Sequence, residues 1–191
     1  VFLDKKVDFD ETIAEIIRYA VEGRKEGVIA REKDAKYASD PLLMLGLQAV
    51  SDGTDPTLVR QMLETQMTLE ETQVAARAKV WESAGGYSPT IGIIGAVLGL
   101  IQVMQNLSDP SKLGAGIAVA FVATVYGVGA ANLFYIPFGS KIKTKFRKEL
   151  LKKEMITEGI LAIQAGESPA LIERKLQSFI LNSHLKEMGI K

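Results

Sequence analysis

The sequence contains no cysteine, carries no net charge and has a single histidine. Without cysteine, disulfide bonds and thiolate metal sites are excluded. The balance of 23 basic and 23 acidic residues disfavours a nucleic-acid-binding protein, which would carry basic residues in excess. His184 lies in a polar tail without clustered ligands, so a solvated side chain is favoured over a catalytic one. We therefore expect a protein that is not an enzyme and that holds no metal or cofactor.

Two long segments, 83–108 and 113–140, lack any charged residue. A bilayer core about 30 Å thick is crossed by about 20 helical residues, so each segment is long enough to span it. The first follows a long polar region and is therefore not a signal peptide. No alternating strand pattern of useful length occurs. We predict an all-α integral membrane protein with two transmembrane helices, at about 86–106 and 113–137, and a helical cytoplasmic domain.

The polar segments on either side predict three regions: a cytoplasmic helical region at 1–82, the transmembrane hairpin at 83–140, and a C-terminal helical region at 141–191. Four residue pairs predict helix starts, because the first member caps free N–H groups while proline fits the first turn. They are Asp40-Pro41, Asp55-Pro56, Asp109-Pro110 and Ser168-Pro169. "SDGTDP" (51–56) then forms a turn, and we expect "GGYSP" (85–89) to interrupt the helix that begins near Thr57.

Charge sets the expected orientation of the hairpin. Seven basic residues and one acid, Glu149, follow the second span between 141 and 153. The positive-inside rule therefore places both terminal regions in the cytoplasm and the short connection outside. Aromatic residues occur where a membrane interface is expected: Trp81, Tyr87, Tyr135 and Phe138. For Trp81, a packed core position remains an equal alternative.

Small residues recur at helical spacing on both spans. The first has Gly92, Gly95, Ala96 and Gly99, and the second has Gly116, Ala120, Ala123, Thr124, Gly127, Ala130 and Ala131. Membrane helices associate through close packing, which small residues permit. Either the hairpin packs on itself, or another chain approaches these faces. Neither span contains Asp, Glu, Lys, Arg or His, so an ion relay would need a carboxylate from another chain. The Thr124 hydroxyl could equally bond to its own backbone.

The spans "SPTIGIIGAVLGLIQVMQNLSDPSKLGAGIAVAFVATVYGVGAANLFYIPFGSKI" (88–142) resemble the third and fourth membrane helices of flagellar motor stator A subunits (MotA/PomA), of the MotA/TolQ/ExbB proton channel family. Three other segments resemble their cytoplasmic parts: "EGRKEGVIARE" (22–32), "DPLLMLGLQAVSDGTDP" (40–56) and "GESPALIERKLQSFI" (166–180). The resemblance covers nearly the whole chain. The family has two earlier membrane helices, so we expect this chain to be a fragment that begins after the second.

The resemblance implies a pentameric ring of A subunits around the membrane helices of a MotB/PomB-like B subunit in the bacterial inner membrane. The B helix would supply the ion-binding aspartate, and ion flux would generate torque on the rotor.

The resemblance also implies roles for particular residues. Eight would line the ion path or face the B subunit: Gly92, Gly95, Ala96, Gly99, Ala120, Thr124, Tyr126 and Gly127. Pro89 and Pro137 match the family's coupling prolines. Arg24, Lys25 and Glu32 match positions that contact a FliG-like rotor switch protein, although such charges are ordinarily just solvated. Ala96 stands where sodium-driven members tend to have threonine, which favours protons.

Two other functions remain open. One is a TolQ/ExbB-like energy-transducing ion channel subunit, against which the charged rotor-contact positions and the extended polar region argue. The other is a structural membrane hairpin without ion flux.

Overall fold

The computed structural model describes residues 8–26, 37–105 and 110–187, and these residues form helices and turns without a strand. The elements, in chain order, are α1 (Phe9–Glu26), α2 (Pro41–Ser51), α3 (Pro56–Met104), α4 (Pro110–Ala130), a π-helical turn (Ala131–Tyr135), α5 (Ile136–Gln164) and α6 (Pro169–Glu187). The chain folds as two compact units: one of residues 73–144, the other of the described residues within 2–72 and 145–191.

The four predicted helix starts are confirmed, since α2, α3, α4 and α6 each begin at the proline of its pair. The Asp40 carboxylate accepts from the Leu42 N–H at 2.9 Å and that of Asp55 from the Thr57 N–H at 2.8 Å. Between α2 and α3, Gly53 adopts a φ of 71°, a left-handed conformation that side chains disfavour. The predicted turn at 51–56 is thus present.

The expected interruption of the helix at "GGYSP" was wrong. Helix α3 runs without a break for 49 residues and contains Pro89 in its interior. Gly85 permits close packing rather than ending the helix, since a Cβ added to it would lie 2.7 Å from Cγ1 of Ile136. Proline removes one backbone donor, but membrane helices tolerate it where neighbouring groups compensate.

A π-helical turn, not expected from the sequence, separates α4 from α5. At its end the Ile136 N–H donates to the Ala131 carbonyl, five residues back instead of four. Pro137 follows directly and has no N–H to continue the α-helical ladder. The extra residue per turn shifts the chain so that the helix can pass the proline, a feature often found at functional sites.

The unit of residues 73–144 is a helical hairpin whose seam, the line of closest approach between α3 and α4, is formed by small residues. At Gly127, an added Cβ would lie 2.8 Å from both the Gly92 Cα and the Ser88 carbonyl oxygen. Further along, a Cβ on Gly99 would lie 3.3 Å from that of Ala120. Because backbone meets backbone at Gly92 and Gly127, no larger residue fits there without moving a helix.

The second unit has a conventional hydrophobic core built from α1, α2, the first part of α3, the latter part of α5, and α6. Its fully buried large side chains are Ile16, Leu43, Val59, Leu63, Met155, Ile156, Ile160, Ile172 and Leu176. Glycines again set the spacing, since a Cβ on Gly46 would meet the Ile160 side chain and one on Gly159 would meet Ile16. Ion pairs at its edge join Lys152 to Asp40 at 3.6 Å and Lys153 to Glu70.

Truncation of Ile160 tests this core. Ile160→Ala should lower the free energy of unfolding by about 2–5 kcal/mol, because it removes buried methyl groups and leaves a cavity. Leu171, which is 45% exposed on α6, offers a control, and Leu171→Ala should change stability by no more than about 0.5 kcal/mol. Urea unfolding of the intact protein, followed by circular dichroism, measures both. Equal stability of the two variants would show that Ile160 is not a core residue.

The close approach at the seam predicts that two cysteines placed across it can form a disulfide. The test is simple because the sequence contains no other cysteine. In Gly99→Cys/Ala120→Cys the two Cβ atoms would lie near 3.3 Å, close to the roughly 3.5–4.5 Å of disulfides. Mild oxidation should therefore form a disulfide within one chain, detected as a loss of two hydrogens by intact mass.

The control pair, Leu98→Cys/Phe121→Cys, lies on exposed faces, where Leu98 is 61% and Phe121 70% exposed, and should form no such bond. If the seam pair instead formed covalent dimers on a non-reducing gel, these small faces would meet another chain and the hairpin seam would be incorrect.

Candidate membrane-spanning site

Two helical stretches are long and apolar enough to cross a membrane, one within Pro56–Met104 and one within Leu113–Gln164. Only 6% of the most apolar window of the first, and 11% of that of the second, is buried inside the protein. The core helix of a water-soluble protein would be mostly buried instead. The apolar side chains of this hairpin therefore face outward, as lipid or partner helices require.

The structure brings five of the eight predicted ion-path residues into the seam: Gly92, Gly95, Gly99, Ala120 and Gly127. A Cβ on Gly95 would lie 3.1 Å from that of Ala123, which continues the same line. These small faces are thus occupied, at least in part, by the hairpin's own helices. This is the first of the two explanations that the sequence left open.

The other three predicted residues lie outside the closest approach. Ala96 and Thr124 are half-buried, whereas Tyr126 is 74% exposed. The Thr124 hydroxyl donates to the Ala120 carbonyl at 3.3 Å, which is the local bond considered as an alternative to an ion-path role. Thr124 can still offer its oxygen as an acceptor, since a hydroxyl has two lone pairs besides its donor.

The two prolines lie near the end of the hairpin that is predicted to face the cytoplasm. Pro89 is half-buried, and the residue before it, Ser88, donates its hydroxyl to the Gly127 carbonyl on α4 at 2.9 Å. Pro137 is exposed directly after the π-helical turn. The Ser88 bond was not predicted from the sequence.

The environment of Trp81 fits both alternatives that the sequence left open, a packed core position and a membrane-interface position. It is half-buried, and its ring lies 5.2 Å from that of Phe138 in an edge-to-face arrangement and 6.3 Å from that of Tyr135. Phe134 extends the group, with its ring 6.4 Å from that of Phe138. We call Trp81, Phe134, Tyr135 and Phe138 the aromatic cluster.

The predicted rotor-contact residues belong to the other unit. Arg24 is exposed near the end of α1, and its Nη2 donates a long hydrogen bond of 3.5 Å to the Gly166 carbonyl in the turn between α5 and α6. The backbone of Lys25 lies in the last turn of α1. Glu32 lies outside the described residues.

Chemically, the two uncharged segments of the hairpin offer hydroxyls, amides and backbone carbonyls but no carboxylate, amine, guanidinium or imidazole. No Asp, Glu, Lys, Arg or His occurs in 83–108 or 113–140. A proton or metal cation crossing a membrane ordinarily moves between ionisable groups. The hairpin can therefore form a wall of an ion path, but the titrating group has to come from elsewhere.

Known relatives match nearly the whole chain. Motility protein A from Helicobacter pylori is 38% identical over 180 residues, which are 94% of this chain and 70% of that protein. The chemotaxis protein PomA from Vibrio alginolyticus is 29% identical over 179 residues, which are 94% of this chain and 70% of PomA. The profile of the MotA/TolQ/ExbB proton channel family matches residues 34–155.

Solved structures share the fold. A chain of the flagellar MotAB stator complex from Bacillus subtilis superposes with a TM-score of 0.87 at 31% identity, covering 97% of this chain and 73% of that one. The Campylobacter jejuni MotAB structure gives 0.87 at 32% identity, with 91% and 68% covered. These findings confirm the predicted all-α membrane fold and the resemblance to flagellar stator subunits. Sequence identity, fold and family profile agree, and the chain belongs to the MotA/TolQ/ExbB proton channel family.

Proposed function

We propose that the protein is the A subunit of a flagellar stator, forming with a B subunit a proton channel whose flux drives the rotor. The observation that carries this proposal is a hairpin whose helices are long enough to cross a bilayer and face outward, yet whose spans contain no Asp, Glu, Lys, Arg or His. To conduct protons, such a hairpin needs a partner with a carboxylate. The relatives supply the precedent, since the solved neighbours are complexes of MotA with MotB by their names. The activity requires no enzymatic step.

Packing in the hairpin supports a particular surface for the B helix. The seam glycines hold α3 and α4 close together, and the half-buried Ala96 and Thr124 would line the ion path beside them. Tyr126, exposed on α4, would contact the partner helix or a neighbouring A subunit. Pro89 follows Ser88, which makes the cross-helix hydrogen bond, and Pro137 follows the π-helical turn. Both prolines would transmit changes in the spans to the helices that continue from them.

The assembly would be a pentameric ring of A subunits in the bacterial inner membrane, with lipid at its outer faces and both terminal regions in the cytoplasm. Regions 1–82 and 141–191 would form the cytoplasmic part and 83–140 the membrane part. Arg24, Lys25 and Glu32 would contact a FliG-like rotor switch protein. A TolQ/ExbB-like subunit would share the channel but not this contact, and a structural hairpin would share neither.

The identity of the conducted ion can be tested by measuring swimming speed. In cells that carry the full-length protein and its B partner as their only stator, replacement of sodium by potassium at constant pH should leave swimming speed unchanged. Dissipation of the proton gradient with a protonophore should stop it. The expectation rests on Ala96, whose side chain has no oxygen to coordinate sodium. Swimming that stops when sodium alone is removed would refute proton use, and a protein without ion flux in either medium would be a structural hairpin.

The rotor contact is tested by charge reversal. Arg24→Glu should strongly reduce swimming while expression, ring assembly and ion flux stay near normal, because an exposed charge contributes only about 0–1 kcal/mol to folding. Its value lies instead in orienting a charged partner.

Arg18, on the same helix and 59% exposed in its side chain, gives a matched control, and Arg18→Glu should swim nearly as the wild type does. Normal swimming of Arg24→Glu, or equal loss in both variants, would remove the case for a specific contact at Arg24. A TolQ/ExbB-like role would then gain support.

A further inference from the structure

The π-helical turn deprives one backbone carbonyl of the second span of its usual donor. In an α-helix the Asn132 carbonyl would accept from the Ile136 N–H, but that N–H donates to the Ala131 carbonyl instead. In the π-helical register the donor would be the nitrogen of Pro137, which carries no hydrogen. Within the described chain, the Asn132 carbonyl is therefore left without a helical hydrogen bond in either register.

Helix α3 loses a backbone hydrogen bond in the same part of the hairpin. The Gly85 carbonyl would accept from the nitrogen of residue 89, but Pro89 has no N–H to donate. Gly85 lies against the end of the π-helical turn, since a Cβ added to it would lie 3.5 Å from both the Ile136 nitrogen and the Tyr135 Cβ. The two prolines therefore remove backbone donors from neighbouring turns of the two packed helices.

The Asn132 side chain adds a second acceptor beside this carbonyl. Its Nδ2 donates to the Val128 carbonyl at 2.9 Å, which leaves Oδ1 as an acceptor. Asn132 is exposed, so both oxygens belong to a residue on the outer surface of the hairpin. Thr124, Val128 and Asn132 follow one another at four-residue spacing and therefore share one face of the helix. This face carries Thr124, which is proposed above to line the ion path.

Lipid cannot satisfy these acceptors. The segment 113–140 has no charged residue, and Asn132 lies five residues, or about 7.5 Å, inside the predicted end of the span at 137. A backbone carbonyl without a donor is not tolerated against hydrocarbon, but it is tolerated where the backbone lines a water-filled cavity. Its neighbour Leu133 is 70% exposed and wholly apolar in its side chain, as suits lipid or another helix.

We propose that Asn132 lines a water-filled outlet at the cytoplasm-directed end of the ion path, where its main-chain and side-chain oxygens hold the water that carries the proton out. The proton stays on water: a hydronium ion donates a hydrogen bond to an oxygen of Asn132, passes a proton to the next water and becomes water itself. Acceptors that line a pore position its contents in this way without a change of charge on the protein. The inference rests on the proposed channel function and names the residue beside which protons leave.

Cysteine labelling tests the outlet, because the sequence contains no cysteine. Asn132→Cys in the full-length protein, assembled with its B subunit in inside-out vesicles, is treated with a cationic, membrane-impermeant methanethiosulfonate. The reagent attacks thiolates, which form in water and are suppressed in apolar surroundings. Asn132→Cys should react at least about tenfold faster than the control Leu133→Cys, its neighbour at the same depth.

Proton flux, measured before and after labelling, connects the outlet to the ion path. The attached cation should abolish most of the flux in Asn132→Cys, because a fixed positive charge in a narrow path repels protons. Flux in Leu133→Cys should stay near its starting value, and the unsubstituted complex, treated in parallel, measures any background. Val128→Cys, one turn earlier on the Asn132 face, is a second probe that should also react faster than Leu133→Cys, and it serves if Asn132→Cys does not assemble.

Each contrary result has its own meaning. Equal labelling rates of Asn132→Cys and Leu133→Cys would overturn the outlet, because the turn would then lie wholly in water or wholly in apolar surroundings. Fast labelling of Asn132→Cys with unchanged flux would place the water outside the ion path and would overturn the outlet as well. Absence of proton flux through the unsubstituted complex would instead overturn the proposed channel, and the outlet with it.

Discussion

The close approach of the α3 and α4 backbones at Gly92 and Gly127 is the constraint on which the hairpin depends. Helices in lipid gain nothing from hiding apolar surface, so their association rests on van der Waals contact and hydrogen bonds. Here the Gly127 position lies within 2.8 Å of backbone atoms once a Cβ is imagined on it, and the Ser88 hydroxyl adds a 2.9 Å bond to the Gly127 carbonyl. Glycine is required at these two positions because a Cβ on either residue would push the α3 and α4 backbones apart.

The two units achieve stability by different means, and glycine serves both. In the second unit a Cβ on Gly46 would meet side-chain atoms of the fully buried Ile160, so glycine there makes room for a large buried side chain. In the hairpin the neighbouring atoms are backbone, which cannot move aside. Gly53 and Gly166 serve a third purpose, with φ angles of 71° and 70° in turns that follow helices. The same residue type therefore has a meaning that only its neighbours reveal.

The sequence predicts best what depends on local chemistry. The helix starts at Pro41, Pro56, Pro110 and Pro169 follow from capping and from the fixed φ of proline, and the spans follow from the lack of charge. The continuous course of α3 through Pro89 could not be predicted locally, because the sequence does not show that Gly85 packs against Ile136, 51 residues away, instead of ending the helix. The π-helical turn before Pro137 was likewise not predicted, since a proline can also end or kink a helix.

The candidate site shows the same division. The small residues were evident from their spacing, but spacing alone could not say whether Gly99 meets Ala120 of the same chain or another helix. The aromatic cluster was visible only as separate residues at a predicted interface. Its contacts join Trp81 to residues more than 50 positions away, across a connection that no local rule specifies.

The rotor contact proposed for α1 requires that this helix be held firmly in its unit. Buried side chains hold it more strongly than its exposed charges do. The bond from Arg24 to the Gly166 carbonyl is long and exposed, so it contributes little to holding the helix. Ile16, two turns earlier, is fully buried, and a Cβ on Gly159 would lie 2.9 Å from Ile16 Cγ2 and 3.4 Å from Leu176 Cδ1. Helices α1, α5 and α6 therefore meet at one close-packed point. A force applied to the exposed end of α1 is borne there by buried side chains, which resist displacement because a packed core has no space into which they can move.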